Sequence, residues 1–584
     1  RPGAGAAGGL VAVPLPERFA AGFRAAVKPF RPGSGPRTAA VRDRGVSRSN
    51  ETVDPVLPSF QTMNTSLTLI GLLAFASGAM AVPIDIGGRR ELFVDDALID
   101  RLSGRAELRL NEPVPREVVL SHDEPWEGAG SGYHSVFQDG ALYRMYYKAW
   151  QRTAGPGTPN GDPEPLYCCY AESDDGIHWR KPALGLFEFR GSKANNIVMA
   201  TAQVGALHVD AGHPAVFKDL NPAAPADARY KAFFRSDAPW GKESADRPRG
   251  LLAFKSADGI RFTPIVSDRP VITNGAFDSQ NLAFWDTVRG EYRAYWRYFQ
   301  RNNDGSKGGA TPTGSRAIRT ATSKDFIHWQ GEENVHYVDS PEEQLYINQI
   351  KPYPRAPHLF IGFPARYLDR GWSEEMRALP EREHREWRAG ILARLGTALT
   401  DSLFMASRDG VTFKRWNEVF LRPGPERPGA WTYGQTFIAW EPVITKSSMD
   451  GAPDELSLYI SESYWSGRSG STVRRYTLRL DGFVALRAPM AGGELLTKPV
   501  RFAGSALSLN FATSAIGTVR VELQDEEGRP LPGFTLDDCA PLFGDTIDRR
   551  VRWTGGSLAA LAGRPVRLRF AVSDAQVYAF QFQP

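Results

Sequence analysis

The sequence is poor in the residues that mark several common protein classes. Three cysteines in 584 residues, Cys168, Cys169 and Cys539, make neither a disulfide framework nor a zinc site. Cys168 and Cys169 are neighbours in strand-like text, so their side chains face opposite ways and serve as filler. The formal net charge is only +4, and the arginines are scattered, which argues against nucleic-acid binding. After residue 81 no apolar run is long enough to span a bilayer. No spacing of His, Cys, Asp or Glu indicates a metal centre, so none is assigned and no cofactor is expected. A structural Ca²⁺ held by scattered oxygens would leave no trace in spacing.

What is present begins with a contrast at the N-terminal side. Residues 1–62 are rich in Arg, Gly, Pro and Ala and lack periodicity, which predicts a disordered leader or the product of upstream translation before Met63. An apolar run at 67–76 and the small-residue close at 79–81 follow, the pattern of a secretory signal peptide over 63–81. The n-region 64–66 carries no basic residue. A secreted or periplasmic protein is the expectation.

The rest is dominated by a repeat. SDDGIHW at 173–179 returns as SADGIRF at 256–262, SKDFIHW at 323–329 and SRDGVTF at 407–413, with a degraded RLDGF at 479–483. Ser and Asp side chains cap the backbone N–H groups of a tight turn, and Gly supplies positive φ. An aromatic-rich strand precedes each copy: YRMYYK at 143–148, YKAFFR at 230–235, YRAYWR at 292–297, LFIGFPAR at 359–366 and LSLYISE at 456–462. A strand and hairpin repeated five times predict an all-β fold, a five-bladed β-propeller over 90–488. Within it ELFVDDALID (91–100) is a strand placed to close the ring. Residues 373–400 are the one helical insertion, broken at Pro380, either a roof over the binding face or a surface decoration. Residues 489–584 alternate as strands without the signature and predict a separate C-terminal β-sandwich.

A propeller directs the first strand of each blade at a central funnel, and its polar residues there define the candidate site. Hydrolysis of a glycosidic bond needs two carboxyl groups, and Glu127 and Asp278 are the first pair, with Glu343 third. His134, Asp210, His213, Gln280, Asn281, Tyr346 and Tyr433 are candidate sugar contacts. Lys148, Arg235, Arg297 and Arg366 end successive aromatic strands and would suit an acidic sugar, unless they pair with acids in neighbouring blades.

The order of inner strand, YRMYYK-type strand and SxDGxxW hairpin, with a trailing β-domain, resembles the five-bladed glycosidases of glycoside hydrolase family 32 and, more distantly, family 43. LFVDDALID, PWEG, ESDDGIHW, FDSQNLAFWD and RPVRLRFAVSDAQVYAFQF resemble secreted family-32-like proteins of planctomycete-type bacteria, over residues 90–584. The resemblance implies a secreted glycoside hydrolase acting on an oligo- or polysaccharide. The family's Asn-Asp-Pro-Asn, Arg-Asp-Pro and Glu-Cys motifs are replaced by Tyr133-His134-Ser135, Gly212-His213-Pro214 and Phe277-Asp278-Ser279, so fructan or sucrose specificity does not transfer. The alternatives are a non-catalytic carbohydrate-binding propeller and a propeller lyase.

Overall fold

The computed structural model describes residues 82–151, 166–237, 248–300 and 314–584, and the leader and signal-peptide expectations at 1–81 lie outside them. Five antiparallel sheets make the propeller. Blade one runs Gly132–Asp139, Leu142–Ala149, Tyr167–Ser173 and Ile197–Ala200, and blade two Leu207–Lys218, Tyr230–Ser236, Leu251–Ser256 and Thr263–Pro264. Blade three comprises Leu282–Asp286, Glu291–Gln300, Ser315–Ser323 and Trp329–Asn334. Blade four pairs Lys351–Tyr353, Ala356–Gly362, Met405–Ser407 and Thr412–Arg415, and is edged by His336–Val338 running parallel. In blade five, Val443–Thr445, Glu455–Glu462 and Thr472–Arg479 are completed by Val114–Ser121.

That last pairing closes the ring and corrects one expectation. The closing strand is Val114–Ser121, not residues 91–100. Arg90–Leu92 pairs instead with the C-terminal strand Arg567–Gln583, and Ile99–Gly104 and Glu107–Leu110 join the same eight-stranded sheet. The C-terminal β-domain is therefore assembled from both sides of the propeller, and Val484–Ala488, assigned from sequence to blade five, belongs to it. A continuous apolar core joins the two parts: Leu359, Ile361, Phe404 and Leu458 of the blades pack with Phe511, Phe570 and Phe580.

The repeated turns form as their chemistry requires. Ser173 Oγ accepts the Gly176 N–H at 2.9 Å, and Asp175 Oδ1 accepts those of Ile177 and His178, each at 2.8 Å. The same set recurs around Ser256, Ser323 and Ser407. Each turn is also tied to the preceding blade. Tyr146 donates to the Gly259 carbonyl at 2.8 Å, Tyr295 to that of Gly410 at 2.7 Å, and Tyr459 of blade five to that of Gly176 at 2.5 Å. Blade two carries Phe233 at this position and cannot donate. Its partner turn has Phe326 in place of glycine, at φ 69°, and the two rings stack at 4.9 Å. The degraded fifth copy became a junction: buried Asp481 accepts from Tyr353, Arg355, Arg90 and Asn510.

Cys168 and Cys169 are buried thiols on opposite faces of one strand, each in a different inter-blade core. The insertion forms three short helices, Glu374–Ala378, Arg382–Ile391 and Arg394–Thr397, with Pro380 between the first two. Its buried Arg385 and Arg388 hold it to the blade-five loop, donating to the carbonyls of Trp431 and Trp465. Among the described residues no helix is long and apolar enough to cross a membrane.

Candidate functional site

Two glutamines close the propeller axis. Gln280 Nε2 lies 3.1 Å from each of Tyr133 O, Ser135 Oγ and Pro214 O, and Gln349 Nε2 donates to Gln280 Oε1 at 2.9 Å and Ile438 O at 2.8 Å. These bonds join all five blades near the axis and satisfy buried carbonyls that converge there. Gln280 and Asn281, expected as sugar contacts, are buried; Asn281 spends its amide on the carbonyls of Phe277 and Ser279.

A cavity of about 450 Å³ is lined by residues from every blade and by Arg394 and Leu395 of the insertion. The insertion thus forms part of the wall. Blade one contributes Tyr133, held at φ 53°, and Lys148. The Lys148 ammonium donates to Tyr464 Oη at 2.8 Å and sits over the Tyr133, Trp150 and Tyr464 rings. In blade two the inner strand loses register between Asp210 and Ala215, and this irregularity presents His213 to the cavity.

Asp278 of blade three is the one carboxylate among the described lining residues. His213 Nε2 is 3.3 Å from it, Arg235 3.6 Å and Arg297 3.7 Å. Burial alone would raise its pKa, but the hydrogen bond from His213 and the charges of Arg297, His213 and Arg235 hold the carboxyl well below the usual range. Beneath it, buried Asp210 faces His213 Nδ1 at 3.0 Å and pairs with Arg235. His213 therefore lies between two carboxylates.

The opposite wall is aromatic and cationic. Tyr346 and Tyr433 meet edge to face at 5.5 Å, and Tyr433 meets Tyr464 at 6.1 Å. Arg316 is 7% exposed and packs its guanidinium over Tyr367, Tyr346 and Phe299, donating to Gln344. Arg394 donates to Tyr367 Oη at 3.3 Å. No carboxylate lies within ion-pair distance of either among the described residues.

The structure thus gathers Asp278, His213, Lys148, Arg235, Arg297, Tyr346 and Tyr433 around one cavity, with Asp210 just below. It leaves four others elsewhere. Glu127 is buried, paired with Lys181 at 2.6 Å and hydrogen-bonded by Tyr147 at 2.6 Å, with burial raising its carboxyl pKa. His134 is buried against His122 at 3.2 Å, and burial pushes its pKa down to about 3. Glu343 and Arg366 pair with each other at 2.9 Å beside a second cavity, where Arg366 also binds Asp401 and Glu343 also binds Arg415. The expected pairing of Glu127 with Asp278 is corrected on this ground: the Glu127 side chain does not reach the cavity. Arg366 likewise departs from the three cations that do. Reasoning from inner strands missed Arg316, Arg394, Tyr464 and Trp465. The adjacent aromatics Tyr464-Trp465, immediately after a strand, were the visible signal for two of them.

Among the described residues no cluster of His, Cys, Asp and Glu is arranged to hold a metal ion. No family model matches the chain, and no curated protein does. Solved structures similar to it include a family 43 arabinoxylan arabinofuranohydrolase from Bacillus subtilis, at 10% identity over 78% of this chain and 95% of that one, TM-score 0.35. An endo-arabinase from Bacteroides thetaiotaomicron matches at 10% identity over 62% and 98%, TM-score 0.35. An N-acetylgalactosamine deacetylase from F. plautii matches at 12% over 65% and 96%, TM-score 0.36. Likenesses this distant carry no weight for activity; the propeller stands on its own strand pairing.

Proposed function

We propose that the chain is a carbohydrate-active propeller whose central cavity takes an anionic sugar, a uronate or sulfated residue of an oligo- or polysaccharide. One observation carries this reading: Arg316 and Arg394 line the cavity with no carboxylate partner among the described residues, while Asp278 is already shared among His213, Arg235 and Arg297. A largely buried cation without a counter-ion is costly, and an anionic ligand would complete it. Guanidinium forks match carboxylate and sulfate oxygens. The faces of Tyr346, Tyr433 and Trp465 offer flat partners for a sugar ring. The leader-like stretch at 63–81 supports export.

A single carboxylate among the described lining residues does not support hydrolysis by a carboxylate pair, which needs two acids about 5–10 Å apart. The same fact favours a second reading, a propeller that binds sugars without cleaving them. Calorimetry with oligogalacturonides, sulfated oligosaccharides and neutral xylo- and arabino-oligosaccharides tests the proposal. Binding of the anionic set alone is expected, weakened about tenfold or more by Arg316→Ala, roughly the cost of one charge-assisted contact. Equal binding of neutral sugars, or no binding of anionic ones, would overturn it.

A further inference from the structure

The tyrosines of the cavity, and its arginines that have no carboxylate partner among the described residues, fit one way of breaking a uronate chain that uses no carboxylate. Resting on the anionic-sugar reading, we propose that the protein cleaves 4-linked uronates by β-elimination, with Tyr464 as base and Tyr433 as acid. Arg316 and Arg394 would hold the uronate carboxylate, and their charge would stabilise the negative charge that builds on it as the C5 proton leaves. Tyr464, present as its phenolate, takes that proton on Oη. The electron pair of the C5–H bond becomes the C4=C5 double bond, the C4–O4 bond breaks, and the departing oxygen takes the proton of the Tyr433 hydroxyl. Tyr464 then returns its proton to solvent and Tyr433 regains one. No water is added across the bond, and no oxidant or metal is called on.

Each role rests on a contact. The Lys148 ammonium lies 2.8 Å from Tyr464 Oη and stabilises negative charge on that oxygen. Tyr433 borders both Tyr464 and Tyr346, placing a second hydroxyl-bearing ring beside the base. Burial keeps Tyr433 protonated, its pKa well above the ordinary value, as a donor requires. The other titratable groups are less suited to removing a proton. His213 has Nδ1 turned to Asp210 and Nε2 to Asp278. Asp278 faces His213, Arg235 and Arg297 and is a weak base. The charged groups facing the tyrosine cluster are thus Lys148, Arg297, Arg316 and Arg394, with Asp278 across the cavity.

The test incubates the whole protein with polygalacturonate and with alginate. Ultraviolet absorbance of the unsaturated uronate, new reducing ends and calorimetric affinity are measured on the same samples. Chromophore and reducing ends should appear in equal amounts. Tyr464→Phe should slow the reaction about 100-fold or more, the usual contribution of a general base, while affinity stays within about threefold. Lys148→Met should also slow it and gives a second variant should Tyr464→Phe fail to fold. Reducing ends without the chromophore, or binding with neither product, would overturn elimination and leave the anionic-sugar reading standing. Failure of both polymers to bind would remove both.

Discussion

At the rim, Ser173, Ser256, Ser323 and Ser407 cap the same turn with the same bonds; at the axis, no two blades present the same side-chain set. Rim turns answer a local demand, since backbone N–H groups in a tight bend must be met by a side chain within three residues. The cavity answers a global one, in which charge and shape are balanced among groups far apart in sequence. Asp278 is met by His213, Arg235 and Arg297 from two blades, and Tyr464 at blade five is met by Lys148 of blade one, far away along the chain. The rim is therefore a stability feature, and the cavity is the region the proposed function rests on. Substitutions should separate them.

The largest effect is expected at a rim glycine. Gly176 has φ 74°, and a Cβ there would meet Thr445 Cγ2 at 2.8 Å. Gly176→Val should cost about 2–4 kcal/mol in denaturant unfolding and leave affinity per folded molecule unchanged. Next comes the converse: Arg316→Met should weaken anionic-sugar binding about tenfold while stability holds or rises slightly, because a buried cation lacking a counter-ion is removed. A combined loss of stability and affinity in either variant would break the distinction.

A smaller effect tests the exception among the turns. Tyr295→Phe should cost about 1 kcal/mol through the lost bond to the buried Gly410 carbonyl. Phe233→Tyr should gain nothing on its own, since its partner is a phenyl ring. Combined with Phe326→Gly it should recover about 1 kcal/mol relative to the sum of the single changes, read as a double-mutant cycle. The smallest effect is acid sensitivity. Burial alone would raise the Asp258 pKa, but N–H bonds from Arg261 and Ile260, with Ser256 and the Arg261 side chain, bring it down to about 2. A carboxylate whose folded pKa is depressed adds stability above its unfolded value near 4 and loses it as pH falls through 2. Asp258→Asn keeps an accepting oxygen and should flatten that part of the curve.

The sequence legibility follows the same division. The turn signature and the strand before it are contiguous, so their chemistry identified five blades directly. The closing strand was misplaced because residues 91–100 and 114–121 are both short and β-like. What separates them is the partner, Phe580 for Glu91 and Val473 for Leu120, and partners hundreds of residues away leave no local mark. The cations ending the aromatic strands were readable as a series, and three of four reach the cavity. Arg366 does not, because blade four diverts into the hairpin of Ala365–Asp369 with Ala398–Ser402. Glu127 was readable as half of a carboxylate pair, yet Lys181 and Tyr147 draw it inward; Gln280 looked like a sugar contact, yet the inner strands need their carbonyls satisfied.

Arg90 reaches Gln581 across 491 residues, within a sheet that also pairs with residues flanking the ring. Four of the hairpin stacks can each assemble from neighbouring residues and blade five needs Val114–Ser121 from the start of the ring, but the clasp cannot form until nearly the whole polypeptide has been gathered. Order of assembly is thereby written into the wiring: blades early, the clasp last, with the ring kept from springing open by a seam on its outside.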